Sequence, residues 1–238
     1  TPKEYSPRLI ARDLAGNEYD RPLSVYPLDR QFKTDIIRLS DSFFESKMPE
    51  FEQDVPGDMA HLERFLKVNR DIRVANRAAL MSIGLQTAPE MVWKDQFMRL
   101  PNAANRASFA EKRTYIYNDA EVDEQYHLGH DLASTRHAPV PAGNHGKVVF
   151  ADNLGIYGLL VVVDHGLGLQ SLYSHLSEIS VQPGQVVSKG DILGKTGVTG
   201  MAGGDHLHFE MVVSGFPVTP LEWFDPKWIR DNITGRLE

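Results

Sequence analysis

From about Thr87 onward the chain breaks into short apolar runs separated by turns every 8–12 residues or so, the spacing expected of an all-β domain. The clearest runs are KVVFAD at 147–152, GLLVVVDH at 158–165, LQSLYSHL at 169–176 and HLHFEMVV at 206–213. Turn chemistry punctuates them at Gly166-Leu167-Gly168, Pro183-Gly184 and Gly203-Gly204. These features predict a compact domain of antiparallel strands.

Two other patterns precede it. Residues 1–28 alternate apolar and polar side chains and break at Gly16-Asn17, which predicts two short strands joined by a turn. The run ARDLAGN resembles the last hairpin of bacterial immunoglobulin-like modules, so this ribbon is expected either as the remnant of such a module or as a simple lead-in. Between residues 29 and 88 the apolar period becomes helical. Ile36, Ile37, Leu39, Phe43 and Phe44, then Met59, Leu62, Phe65, Leu66 and Val68, recur at helical spacing, with breaks at Pro49 and Pro56-Gly57. Two to four helices are expected to dock on the β-domain, which spans 89–238. The fold class is therefore α+β, with a mainly β domain preceded by a helical segment and a β-ribbon.

Composition narrows the function. A net charge of -7 and no visible basic stripe argue against nucleic acid as a partner. No window approaches the 18 or so apolar residues needed to cross a bilayer. With no cysteine, disulfides, thiolate zinc sites and a cysteine nucleophile are excluded, so any metal must be held by His, Asp or Glu.

His206 and His208 lie two apart in a predicted strand, so both imidazoles should leave the same sheet face. Upstream, in YHLGHDLA, His127 and Asp131 are four apart with Gly129 between them. Zinc accepts nitrogen and carboxylate ligands, and a catalytic zinc keeps three protein ligands with a fourth position free for water. His127, Asp131 and one histidine of the downstream pair would supply three. His130 competes with His127, but it adjoins Asp131 and would leave an extended backbone on the opposite face. His175, in LYSHLS with Tyr173 on the same predicted face, is a candidate to accept a proton or steady an oxyanion beside such a centre. No HExxH helix occurs, so the glutamate base of thermolysin-type enzymes is missing.

Taken together, HLGHDLA, APVPAGNHGKVVFAD, the long stretch from YGLLVVVDHG to GKTGVTG, and GDHLHFEMVVSGFPVTP resemble the lysostaphin/LytM-type zinc endopeptidases of bacterial cell walls, over roughly residues 97–224. The resemblance implies antiparallel sheets of a duplicated hybrid-motif type and one zinc ion per chain, bound by His127, Asp131 and His208. It makes His175 and His206 the catalytic histidines, and it implies peptidoglycan peptides as substrate and a periplasmic or extracellular location. Asp205 stands where the family often has proline, and His130 where an apolar residue is common. All five site positions are present, which implies an active enzyme.

The alternative is a non-catalytic module of the same family that activates another cell-wall hydrolase. VQPGQVVSKGDILGKTG also resembles the hairpin of biotinyl and lipoyl carrier domains, but it has no exposed Met-Lys-Met turn, and Lys189 and Lys195 read as solvated turn residues. The glucose-type phosphocarrier domain likewise pairs two histidines on strands, yet does not require the His127–Asp131 pair. The N-terminal helices are expected to contact the groove intramolecularly and could hold the enzyme latent. Tyr157 and Tyr173 are candidate groove walls or packing residues, Glu210 reads as structural or exposed, and His165 as a strand end. His137 and His145 read as solvated loop residues, and the lysines and arginines of the helical region as solvated faces.

Overall fold

The computed structural model describes residues 7–23 and 30–237, which fall into two compact units divided between Phe32 and Lys33. In the first, β1 (Arg8–Arg12) pairs antiparallel with β2 (Glu18–Pro22), from Arg8 opposite Pro22 to Arg12 opposite Glu18. The Asp13 carboxylate accepts hydrogen bonds from the Ala15 and Asn17 amides and closes the turn. Both strands are exposed throughout, and cross-strand ion pairs Arg8–Asp20 and Arg12–Glu18 line them. Residues 1–6 and 24–28 of the expected ribbon lie outside the described residues.

The second unit opens with a difference from expectation. Residues counted toward a helical stripe, Ile36 and Ile37, lie in a strand, β3 (Thr34–Arg38). Two adjacent β-branched isoleucines suit a pleated surface better than a helix, and β3 pairs parallel with β5 (Lys112–Tyr117), Ile37 opposite Tyr115. The helix starts only at Ser40, whose hydroxyl caps it by accepting from the Phe43 amide.

Three helices follow: α1 (Asp41–Lys47), α2 (His61–Lys67) and α3 (Arg73–Gly84). A single π-helical stretch, Val68–Ile72, joins α2 to α3. Such turns re-aim the face of a helix and are frequent at functional sites. Strand β4 (Ala104–Ala107) begins the main sheet; β5 and β6 (Ala120–Tyr126) then form a hairpin that carries β3 on its edge.

The remaining strands are β7 (His130–Ala133), β8 (Pro139–Pro141), β9 (Gly146–Asn153), β10 (Leu159–Asp164), β11 (Leu169–Ile179), β12 (Val186–Val187), β13 (Ile192–Thr196), β14 (Leu207–Val213) and β15 (Phe216–Val218). They build an antiparallel sheet in the order β12-β9-β10-β11-β14-β7-β4, with β13 bridging β11 to β8 and β15 extending β14. All four runs singled out in the sequence coincide with strands.

The unbroken apolar run of β10 follows from burial on both faces of the sheet. Leu160 and Val162, with Leu172 and Val212, pack against Phe44, Phe65 and Tyr115 on the helical side. Val161 and Val163, with Tyr173 and Met211, pack against Trp93, Phe97 and Trp223 on the other. Burying each such aliphatic side chain contributes about 1.5–3 kcal/mol, so the helices are held by the same sheet that carries the candidate site.

Candidate metal and catalytic centre

Three elements converge on one point. His127 opens the link after β6, Asp131 lies on β7, and His208 lies on β14, whose register sets His208 directly opposite Asp131. All three are buried. Asp131 Oδ1 is 2.9 Å from His127 Nε2 and 2.8 Å from His208 Nδ1, and those two nitrogens are 2.9 Å apart. The structure thus brings together the three residues expected as metal ligands, with one donor atom from each inside a 4.8 Å cluster.

Outer contacts fix which ring nitrogens carry protons. His127 Nδ1 lies 2.9 Å from the Ser108 carbonyl, which can only accept, so Nδ1 carries the hydrogen and Nε2 presents a lone pair. His208 Nε2 donates in the same way to Glu210 Oε1 at 2.9 Å, leaving Nδ1 as a lone pair. Two imidazole lone pairs and a carboxylate oxygen therefore face one another. Such an arrangement is repulsive unless a cation or a proton lies among them.

The titration behaviour expresses that need. Burial opposes a charge on His208, yet hydrogen bonds to Asp131 and Glu210 outweigh it and push the ring up to about 9. Burial likewise opposes ionisation of Asp131, but the His127, His206 and His208 rings packed around its carboxylate hold it well below the usual carboxylate range. Burial dominates for His127 and keeps its ring below the ordinary histidine value. A nitrogen, nitrogen, oxygen donor set with fixed tautomers and buried partners suits zinc.

His206 and His175 flank this centre. His206 does not lie within β14: it forms an isolated bridge to Gly197 just before the strand, its Nδ1 donates to the Gly204 carbonyl at 2.7 Å, and its Nε2 is 3.5 Å from Asp131 Oδ1. His175 sits at a bulge in β11, where the four residues Tyr173 to Leu176 lie opposite three of β10, Val161 to Leu159. There the strand leaves β14, which it pairs as far as Ser174, and joins β13 from Leu176. The bulge puts His175 at φ +61, a strained value for a residue with a side chain. Its ring centre is 4.9 Å from that of His206 and 5.7 Å from that of His208. His175 Nδ1 donates to the Thr199 carbonyl at 2.8 Å, so Nε2 is its free lone pair. Burial, then the neighbouring His206 and His208, push the ring well below the ordinary histidine value, so it is neutral at physiological pH.

Tyr173 and His145 depart from their expected settings, whereas His165 follows the end of β10 and His130 stays outside the ligand cluster, as expected. The bulge separates Tyr173 from His175: Tyr173 is a core residue whose hydroxyl accepts from the Gly143 amide and from Ser171, not a groove wall. His165 is fully buried, with Nδ1 donating to the His145 carbonyl and Nε2 2.7 Å from Ser171 Oγ. His130 is also buried but turns away from the centre, donating from Nδ1 to Asn105 Oδ1 at 3.0 Å. His145 is half-buried rather than solvated, and its Nδ1 accepts from the Lys189 amide. Tyr157 does line the site, with its ring 6.0 Å from that of His208.

Three charged residues at the centre went unassigned to it in the sequence. Glu210 is fully buried and holds His208. Arg113 on β5 donates to Asp131 Oδ2 at 2.8 Å. Arg77 on α3 donates to Glu210 Oε2 at 3.1 Å, so this arginine is not part of a solvated face. Glu210 alone carried a sequence signal, being two residues beyond His208 and hence on the same strand face. A cavity of about 270 Å³ contains the centre, and its lining includes Asp35, Phe43, Arg73 and Tyr115.

A sheet-bound His/Asp/His cluster with two adjacent histidines is a donor set that could hold a metal ion. Residues 125–220 match the model of peptidase family M23. Among curated relatives, the DD-carboxypeptidase/endopeptidase Mpg of Neisseria meningitidis is 39% identical over 95 residues, covering 40% of this chain and 22% of that protein. The peptidoglycan DD-endopeptidase ShyA of Vibrio cholerae is 41% identical over 96 residues, again 40% of this chain and 22% of the relative. The chain thus spans about a fifth of the length of these relatives. A solved structure named as a putative peptidase M23 from Pseudomonas aeruginosa shares the fold at a TM-score of 0.57 and 22% identity, covering 94% of this chain and 75% of that one. A structure of the SpoIIQ–SpoIIIAH pore-forming complex is similar at a TM-score of 0.50 and 26% identity, covering 61% of this chain and 99% of that one. The fold therefore also occurs within a pore-forming complex.

Proposed function

We propose that this chain is a zinc-dependent endopeptidase that hydrolyses peptide bonds in the peptide part of bacterial peptidoglycan, acting in the periplasm or outside the cell. The observation that carries the proposal is the convergence of the lone pairs of His127 Nε2 and His208 Nδ1 with Asp131 Oδ1, each tautomer fixed by an outer acceptor. Similarity to a DD-carboxypeptidase/endopeptidase and to a DD-endopeptidase supports the substrate class.

His127, Asp131 and His208 would hold one zinc ion. When bound, zinc supplies Lewis acidity, polarising a carbonyl and making water a nucleophile near neutral pH. His175, neutral and with Nε2 free, is placed to accept a proton. His206, with Nδ1 committed to the Gly204 carbonyl, presents Nε2 beside Asp131, where in its protonated form it can steady developing negative charge or give that proton to the leaving amine. Arg113 neutralises Asp131 from the outer side and keeps its carboxylate oriented.

The test is digestion of purified peptidoglycan, with released peptides read by mass spectrometry. Release that stops with a chelator and returns with zinc supports the proposal. Unchanged cell wall at any zinc level, from a folded chain, would contradict it and favour the non-catalytic module.

A further inference from the structure

The helical segment reaches both halves of the candidate site through partly buried polar contacts. From α3, Arg77 donates to Glu210 Oε2 at 3.1 Å, to the Tyr157 hydroxyl at 3.2 Å and to the Gly215 carbonyl at 3.4 Å. Glu210 turns its other oxygen to the His208 Nε2 hydrogen at 2.9 Å. A carboxylate with no exposed surface is costly unless a cation and hydrogen-bond donors face it, and Arg77 is the cation that does so.

A second path starts just after α1. Glu50, in the short 3-10 turn Met48–Phe51, accepts from Lys47 Nζ at 2.8 Å and from the Gly200 amide at 2.7 Å, and Lys47 also donates to the Val198 carbonyl. The loop clamped on both sides presents the Thr199 carbonyl, the acceptor that fixes His175 at 2.8 Å.

We propose that residues 41–84 are a positioning element of the site rather than a separable cover. Arg77 sets the His208 ring through Glu210, and Glu50 sets the His175 ring through the Val198–Gly200 loop. Outer partners that orient a metal-binding histidine and raise its basicity typically change metal affinity about 10–100-fold when removed. A partner that orients a histidine outside the ligand set should leave affinity alone and change turnover. The inference rests on the zinc peptidase proposal, and the two paths make it separable from that proposal.

The experiment measures zinc affinity by competition with a chromophoric chelator, together with kcat, KM and melting, on the full chain. Arg77→Met should weaken zinc binding about 10–100-fold, and Arg77→Lys should recover part of that loss. Glu50→Ala should leave zinc affinity unchanged and lower kcat more than it changes KM, and Glu50→Gln, which can still accept from Gly200, should recover turnover. Should Arg77→Met not fold, Glu210→Gln takes its place, with the same weakening expected. Wild-type zinc affinity in a folded Arg77→Met or Glu210→Gln protein, or wild-type kcat in Glu50→Ala, would overturn the inference and leave those contacts as docking alone. A wild-type chain that binds no zinc would instead overturn the peptidase proposal on which the inference stands.

Discussion

Replacing Gly129 by alanine should disturb the site from its floor. Gly129 lies between His127 and Asp131, and a Cβ there would meet the Phe209 carbonyl oxygen at 2.5 Å, Glu210 Cγ at 2.9 Å and His208 Cε1 at 2.9 Å. Restoring an ordinary contact of 3.4 Å to the backbone oxygen requires a shift of about 0.9 Å, the difference between 3.4 and 2.5 Å. The β7–β14 pairing must supply that movement, and it sets Asp131 opposite His208. A binding constellation tolerates displacements of about 0.5 Å, so the ligand cluster loses its convergence. Overpacking of this kind costs about 1–3 kcal/mol, which for a chain of this size lowers Tm by roughly 2–12 °C. Melting without zinc measures the first effect, and chelator competition the second, where affinity should fall about 10-fold or more, as on loss of an outer-shell partner. Gly57, whose nearest neighbour to a built Cβ is 4.0 Å away, provides the alanine control. A Gly129→Ala protein matching wild type within about 0.5 kcal/mol, with unaltered zinc affinity, would refute the reasoning.

Acid should destabilise the fold through buried histidines. Burial pushes His165 down to about 4 from 6.5, so the unfolded chain takes up a proton that the folded chain refuses. The stability is complete above pH 6.5 and falls as pH drops toward 4, by about 3 kcal/mol at most; His130, also pushed by burial to about 4, acts in the same direction. Urea unfolding at pH 7 and 4.5 should show a shallower loss in His165→Gln, and an identical loss would contradict the assignment. His175→Ala should keep its zinc and lose turnover by about 10²–10⁴-fold, read by metal analysis and peptide release; loss of zinc together with activity would make it a ligand instead.

The strands were legible because a sheet buried on both faces writes itself as continuous apolar runs, as in β10, and one ladder then aligns His208 with Asp131. The ligand triad was legible because spacing and resemblance named residues that the ladder brings together. What escaped the sequence has local causes. Ile36 and Ile37 carry a helix-compatible period, and only a partner strand more than seventy residues later makes them β3. Tyr173 and His175 should share a face by alternation, and the bulge breaks that period at a single residue. Arg77 looks like any charge on a helix, because its role depends on Glu210, 133 residues away. Contacts at that separation leave no local pattern, whereas Glu210 at the second residue after His208 could have been paired with it by strand geometry.

The central claim is that His206 and His208, two residues apart, have different duties. Metal content of the purified chain, in wild type and in each alanine variant, tests this most directly. One zinc per chain is expected in wild type and in His206→Ala, and none retained in His208→Ala. Equal retention in the two variants, or equal loss, would contradict it.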